Sequence, residues 1–166
     1  SIRMKISMIG AGNLATNLAK ALHSAGHDII EVYSRTRVSA DALAMQVEAL
    51  PTDNIETLGR DADIYILALK DSVLADIIPS LCSGRNDAVF VHTAGSVSID
   101  IFKGHAVRYG VLYPMQTFSK SRIVDFSVIP VFLEASDSYT MTMLEGLAAS
   151  VSNDVRQLDS PSRRYL

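Results

Sequence analysis

The chain reads as a doubly wound α/β fold with a mainly parallel sheet and extra strands at one edge. Three observations predict it. Short apolar runs recur along all 166 residues and alternate with segments whose apolar positions repeat at helical spacing. The run Asp61–Leu69 (DADIYILAL) is continuous and apolar after its acidic start, the pattern of a strand buried on both faces. Near the N-terminus an apolar run breaks at Gly10-Ala11-Gly12 and resumes as a helix, a strand–glycine–helix unit.

That first unit spans Lys5–Ala25. Ile6, Met8 and Ile9 give the strand; Leu14, Leu18, Ala21, Leu22 and Ala25 give the helix stripe, with Gly26 as the residue just past its end. The second strand is Asp28–Arg35, followed by a helix over Ser39–Gln46 with Ser39 at its start and Ala42, Leu43 and Met45 as its stripe. Val47–Leu50 reads as a short third strand. After the Asp61–Leu69 strand, Val73, Leu74, Ile77, Ile78 and Leu81 place a helix over Ser72–Leu81. Ala88–His92 is the fifth strand, Ser98–Phe102 a short helix and Tyr109–Tyr113 the sixth strand. Pro130–Glu134, Asp137–Ser150 and Asp154–Leu158 add a strand, a helix and a last strand, whose directions the pattern leaves open. Ser160-Pro161 is a helix start signal, with serine as cap and proline first in the helix.

The glycine turn has the form G-x-G-x-x-A. Gly10 permits the tight turn, Gly12 admits a pyrophosphate to the backbone, and Ala15 lets helix and strand pack closely. Free N–H groups at the helix start supply the positive end that phosphates seek. In open α/β sheets the ligand lies across the carboxyl ends of the strands, so the loops there are the candidate site.

The loop after the second strand, Ser34-Arg35-Thr36-Arg37, offers hydroxyls and guanidinium groups and no carboxylate. A ribose 2′-phosphate wants charge-assisted donors, so the loop favours NADP over NAD; the alternative is a solvated basic loop. Glu31 lies at a suitable distance downstream of the glycines, but inside the strand. The loop after the fourth strand, Ala68-Leu69-Lys70-Asp71-Ser72, is placed to pass the pyrophosphate or the nicotinamide-side ribose; Asp71 or Ser72 equally suits a cap for the following helix. His92-Thr93-Ala94-Gly95-Ser96 follows the fifth strand, and its small residues admit a flat ring. His92 is the weak candidate for proton transfer, set against a structural, hydrogen-bonded histidine. After the sixth strand, Pro114, Gln116 and Thr117 are the substrate-side candidates, with the neutral donors and acceptors of Gln116 and Thr117 suited to orienting a ligand. His23, His27 and His105 read as surface residues. No metal-ligand cluster is visible in the sequence.

Net charge is −3, so nothing in it marks a binder of nucleic acid or of an anionic membrane. The single cysteine, Cys82, reads as a small buried hydrophobe; it has no internal disulfide partner and suits a reducing cytoplasm. No apolar run has membrane-spanning length.

With these residues in view, MIGAGNLA and the SRT after the second strand resemble the NADP-binding domains of pyrroline-5-carboxylate reductases and deazaflavin-dependent NADP reductases, within the broader 6-phosphogluconate-dehydrogenase-like group. HTAGS, GVLYPMQTFSK, DFSVIPVFLEA and the terminal SPSRRYL are similar to a bacterial branch in which a Rossmann-like domain precedes an all-helical domain of unknown function. The resemblance implies cofactor contacts at Gly10, Ala11, Gly12, Asn13 and Leu14, at Ser34, Arg35 and Thr36, at Ala68, Leu69 and Lys70, and at Thr93, Ala94 and Gly95. It implies NADP-dependent hydride transfer to or from a small imine or carbonyl substrate; the other reading is a module that binds or senses NADP(H) without turnover. Residues 1–159 are then the NADP-binding domain, and 160–166 begin a C-terminal helical domain that the chain lacks. In the related reductases that domain helps form the homodimer and the substrate pocket, so the chain alone is expected to bind cofactor and turn over little.

Overall fold

In the computed structural model, which describes residues 3–116, 118 and 125–166, the apolar runs assemble into one sheet. Its strands are β1 (Lys5–Ile9), β2 (Asp28–Tyr33), β3 (Leu50–Thr52), β4 (Ile64–Leu67), β5 (Val89–His92), β6 (Arg108–Pro114), β7 (Val131–Ala135) and β8 (Val155–Gln157). The helices are α1 (Asn13–Ser24), α2 (Arg37–Val47), α3 (Asp71–Cys82), α4 (Ser138–Ala149) and α5 (Ser160–Arg163). Strand order is β3-β2-β1-β4-β5-β6-β7-β8. The first six strands run parallel. β7 pairs antiparallel to β6, and β8 parallel to β7. This is the doubly wound, Rossmann-like order with two added edge strands, whose direction the sequence pattern had not fixed.

Both faces of the sheet are covered, which is why its central strands are apolar throughout. Ile64 and Ile66 face a core shared with α1, α2 and α4, while Tyr65 and Leu67 face a second core under α3 and the 3-10 turn Ile99–Phe102. The alternation is the period of two of a strand. Tyr65 stacks on Phe90 in that second layer, with ring centroids 5.0 Å apart. Cys82 is buried there as a packing residue, and burial pushes its thiol up to about 12, far from thiolate reactivity.

Several expectations need correcting. The third strand lies later than Val47–Leu50: Val47 is the last residue of α2, and Glu48 ends the helix in a left-handed conformation (φ 58°). That helix starts at Arg37, two residues before Ser39. The cap of α5 is Asp159, whose side chain accepts from the Ser162 N–H at 2.9 Å, so Ser160 is freed for other partners. His27 is buried rather than on the surface. Its Nδ1 accepts from the Met4 N–H at 3.1 Å and its Nε2 lies 2.9 Å from Ser150 Oγ, tying the start of β1 to the end of α4.

At the amino edge of the sheet, Arg85 is buried and donates to the carbonyls of Gly59 (3.1 Å), Leu81 (2.9 Å) and Leu58 (2.8 Å). Truncation to alanine strands three carbonyls at once. Chemical denaturation of Arg85→Ala is expected to show a loss of about 3 kcal/mol, with nucleotide binding at the opposite edge retained in the folded fraction. A change within experimental error would show that water replaces the guanidinium freely.

Candidate functional site

The glycine turn is built by close approach. β1 ends at Ile9, whose carbonyl accepts from the Ala68 N–H at 2.9 Å; the Gly10 N–H donates to the Tyr33 carbonyl at 2.7 Å. Gly10 has φ +124°, and a Cβ there would stand 2.3 Å from the Ala68 carbonyl oxygen. Only glycine satisfies both conditions. Gly12 is different: its φ is −77°, and nothing lies within 4 Å of where its Cβ would be. The protein leaves that space open. Gly12 is also the N-cap of α1, with no side chain bonded over it and no acidic residue in the first turn. The first intrahelical bond is Thr16 N–H to the Gly12 carbonyl at 2.9 Å, so the N–H groups of Asn13, Leu14 and Ala15 have no acceptor within the helix. Ala11 and Ala15 are buried, Asn13 is exposed and Leu14 half-buried. The result is an uncapped helix end beside an empty cradle, the setting a pyrophosphate fits.

In the loop after β2, the Ser34 N–H donates to the Thr52 carbonyl (3.1 Å), and Ser34 Oγ accepts from the Thr36 N–H (3.2 Å). Arg35 is exposed and forms no hydrogen bond or ion pair with a described residue. Arg37 is occupied by Asp41 one helical turn on, at 2.8 Å. Glu31 is taken up inside the fold, accepting from Ser7 Oγ (2.7 Å) and the Gly59 N–H (3.0 Å), which leaves it no part in holding a ribose. Asp53, exposed just past β3, is a carboxylate near this loop that strand assignment from sequence had missed, because β3 was placed too early.

After β4, Ala68 and Leu69 are half-buried and Lys70 is exposed. Neither Asp71 nor Ser72 caps α3: the cap position is Lys70, with no side-chain bond, and Asp71 instead accepts from Ser96 Oγ at 3.1 Å. After β5, Thr93 Oγ1 donates to the Leu67 carbonyl (3.4 Å). Gly95 lies against the phenol end of Tyr113; a Cβ on it would come within 2.6 Å of that ring. Pro114, the last residue of β6, is buried; beyond it Gln116 is exposed, while Thr117 lies outside the described residues.

His92 is fully buried and stacked on Phe102. Its Nδ1 accepts from the Ala94 N–H (3.1 Å) and its Nε2 faces the Ser98 carbonyl (3.3 Å), an arrangement that puts the proton on Nε2. Burial lowers its pKa to about 4, outweighing the Ser98 carbonyl and the carboxylates of Asp71 and Glu134, which act upward. Neither ring nitrogen is free for a substrate; the imidazole instead shapes the loop that follows it.

The candidate residues from Gly10 to Gln116 thus converge on the carboxyl edge of six parallel strands. Among the described residues no group of three His, Cys, Asp or Glu side chains is arranged to hold a metal ion. No helix among them is long and apolar enough to cross a membrane. A wide depression of about 1130 Å³ opens at the other edge, lined in part by Arg60, Asp61, Asp63 and Tyr139. Sequence reasoning overlooked Tyr113, hidden in a strand pattern, and Arg163, which reaches the loop after β5 from α5.

The family described as NADP oxidoreductase, coenzyme F420-dependent, matches residues 5–95, more than half of the chain. This chain belongs to that family. The match runs from the first residue of β1 to Gly95 and takes in the edge loops after β1, β2, β3 and β4 and the first three residues of the loop after β5. Among solved structures, the family member at hand is similar to BF3122 of Bacteroides fragilis, a provisionally assigned NADP oxidoreductase, with 47% identity, TM-score 0.96, and coverage of 98% of this chain and 63% of that one. A pyrroline-5-carboxylate reductase from Coxiella burnetii shares 21% identity at TM-score 0.77, over 96% of this chain and 60% of that one. Prephenate dehydrogenase from A. aeolicus, solved with NAD⁺ and hydroxyphenyl propionate, shares 16% at 0.82, over 99% and 63%. These last two likenesses concern the fold. The chain spans less than two thirds of the length of each of these solved relatives. No curated protein sequence matches it. The chain is therefore a nicotinamide-dinucleotide-type, oxidoreductase-family domain.

Two glycines two residues apart should behave oppositely. Gly10→Ala is expected to destabilise the fold by about 3 kcal/mol in denaturation. Gly12→Val should keep native circular dichroism while nucleotide binding disappears from calorimetry, because the branch projects into the cradle from a Cβ position with no protein atom within 4 Å. Normal binding by Gly12→Val would reduce the turn to a packing corner.

His92 supplies a pH signature. Unfolded, its imidazole takes a proton near pH 6.5; folded, only near 4. Between those values the unfolded chain binds the proton and the native chain does not, so acidification removes stability. Wild type should lose on the order of 3 kcal/mol more than His92→Gln between pH 6.5 and 4. Parallel stability profiles would contradict the buried neutral state.

Proposed function

We propose that this domain binds NADP(H) across the carboxyl edge and serves hydride transfer between that cofactor and a small imine or carbonyl compound. The observation that carries the reading is Arg35: an exposed guanidinium without a partner among the described residues, in a loop free of carboxylates, beside an Arg37 already committed to Asp41. A 2′-phosphate suits such a donor, and a bare 2′-hydroxyl gains little from it. Membership of an NADP oxidoreductase family supports the same choice. The substrate class rests on the sequence resemblance to pyrroline-5-carboxylate reductases.

Bound NADP(H) would supply or take up the hydride. The chain's own residues do the rest of what this domain offers. Gly12 leaves room for the pyrophosphate, and the N–H groups of Asn13 and Leu14 face it from the start of α1. Ser34 and Thr36 provide hydroxyls on either side of Arg35. Thr93, Ala94 and Gly95 present small surfaces to the nicotinamide, and Pro114 and Gln116 border the substrate side.

A second reading, a binding module without turnover, draws on His92. With its nitrogens bonded inside the protein, the edge lacks the proton donor its position suggested. Following NADPH oxidation with a panel of cyclic imines and small carbonyl compounds separates the two; turnover excludes the silent module.

Titration of NADPH and NADH against wild type and Arg35→Ala tests the cofactor choice. Wild type should prefer NADPH by about tenfold or more, and the variant should lose that preference while holding NADH. Equal affinities in wild type would remove the argument for NADP.

A further inference from the structure

The terminal SPSRR segment contains a side chain that the site above does not use. Arg163 lies on the short helix α5 and is only 2% exposed. Its Nε donates to the Gly95 carbonyl at 3.0 Å and its Nη2 to the Val97 carbonyl. Its Nη1 pairs with Glu134 Oε1 of β7 at 2.9 Å. Ser160 completes the group: its hydroxyl donates to Glu134 and accepts from the Ile99 N–H at 3.0 Å and from Arg163 Nη2 at 3.3 Å.

The target of this cluster is the loop after β5. Arg163 and Ser160 hold it at positions 95, 97 and 99 from one side, while His92 holds positions 94 and 98 from within. Asp71 holds the Ser96 hydroxyl, and the Tyr113 ring lies against Gly95. Because peptide units are planar and trans, carbonyls drawn to Arg163 turn the N–H groups of Ser96 and Ser98 away from it; neither donates to a described residue. A buried guanidinium is a demanding way to hold a loop, since its charge has to be fully hydrogen-bonded. Its bonds here go to two backbone carbonyls of one loop, a serine hydroxyl and a single carboxylate.

We infer that Arg163, held by Glu134 and Ser160, is a positioning residue for the nicotinamide half of the cofactor, acting through the backbone of Gly95–Val97. The inference rests on the reading of the carboxyl edge as an NADP(H) site. It separates the two halves of the ligand: the adenosine side is held by the loops after β1 and β2, which Arg163 does not touch, and the nicotinamide side depends on the loop that it fixes. Lysine at 163 retains a charge for Glu134 but cannot reach two carbonyls and a carboxylate with one ammonium group.

The test measures two ligands by calorimetry, NADPH and 2′-phospho-ADP-ribose, which lacks only the nicotinamide ring. For Arg163→Lys, NADPH affinity should fall by about tenfold while that of 2′-phospho-ADP-ribose stays within about twofold of wild type. Glu134→Gln, which keeps a hydrogen-bond acceptor but removes the charge, should show the same split at smaller size. Equal losses for both ligands, or no loss for either, would overturn the inference, since a merely structural cluster does not distinguish the two halves. Loss of the fold in both variants would also overturn it, by making the cluster a staple of the domain. Failure of wild type to bind either ligand would overturn the reading of the edge itself, and the role of Arg163 with it.

Discussion

The rest of this structure depends on one contact, the approach of Gly10 to the carbonyl of Ala68. β1 is the strand from which the sheet is wound in both directions, with β2 on one side and β4 on the other. The registers place Ile9 opposite Tyr33 and opposite Leu67, so all three strands end at one level. Their outgoing chains must therefore separate at once. Gly10 lets the first of them turn away with its backbone against the second, which a side chain would prevent. Pulling the two loops together at their base leaves Gly12 and the start of α1 lying over the junction. The crevice at a reversal of strand order is a consequence of topology; the close approach of the two loops at its base here requires a missing methyl group.

Much of this was legible from residue patterns because the determining forces are local. The β4 run, the stripe of α1 and the glycine turn each carry their signal within a dozen residues. β3 did not: it is three residues long, includes Pro51, and follows a helix whose end is marked by a left-handed glutamate rather than a glycine. Strand direction is likewise absent from a period-two pattern, and the reversed β7 emerged only from its pairing with β6. The candidate loops were placed correctly at the edge because that follows from fold class; what their side chains do there did not follow. Burial of His27 depends on Ser150, 123 residues away in sequence, and Arg163 is drawn to carbonyls 66 and 68 residues upstream. Long-range polar contacts between single side chains leave no periodicity to read.

The edge loops also differ among themselves in how they are held. Around Arg35 the chain is anchored mainly by backbone bonds to its neighbours, and its charge stands in solvent. Around Gly95 nearly every residue is fixed by a side chain from elsewhere in the fold. A loop fixed before its ligand arrives loses little further entropy on binding, whereas a free arginine adjusts to its partner at some cost in rotamer freedom. One side of the edge is thus preformed and the other adaptive.

The two outermost strands have a separate consequence. β3 and β8 are three residues each, β3 contains a proline that lacks an N–H, and Arg156 on β8 is locked to Asp154 by two hydrogen bonds of 2.8 and 2.9 Å. An open sheet exposes unpaired backbone groups at both margins and invites another chain to add a strand. Here each margin is too short, and one is chemically blunted, for a second sheet to continue the ladder. Growth by edge-to-edge polymerisation, the characteristic aggregation route of open sheets, is disfavoured by the sequence of the margins themselves.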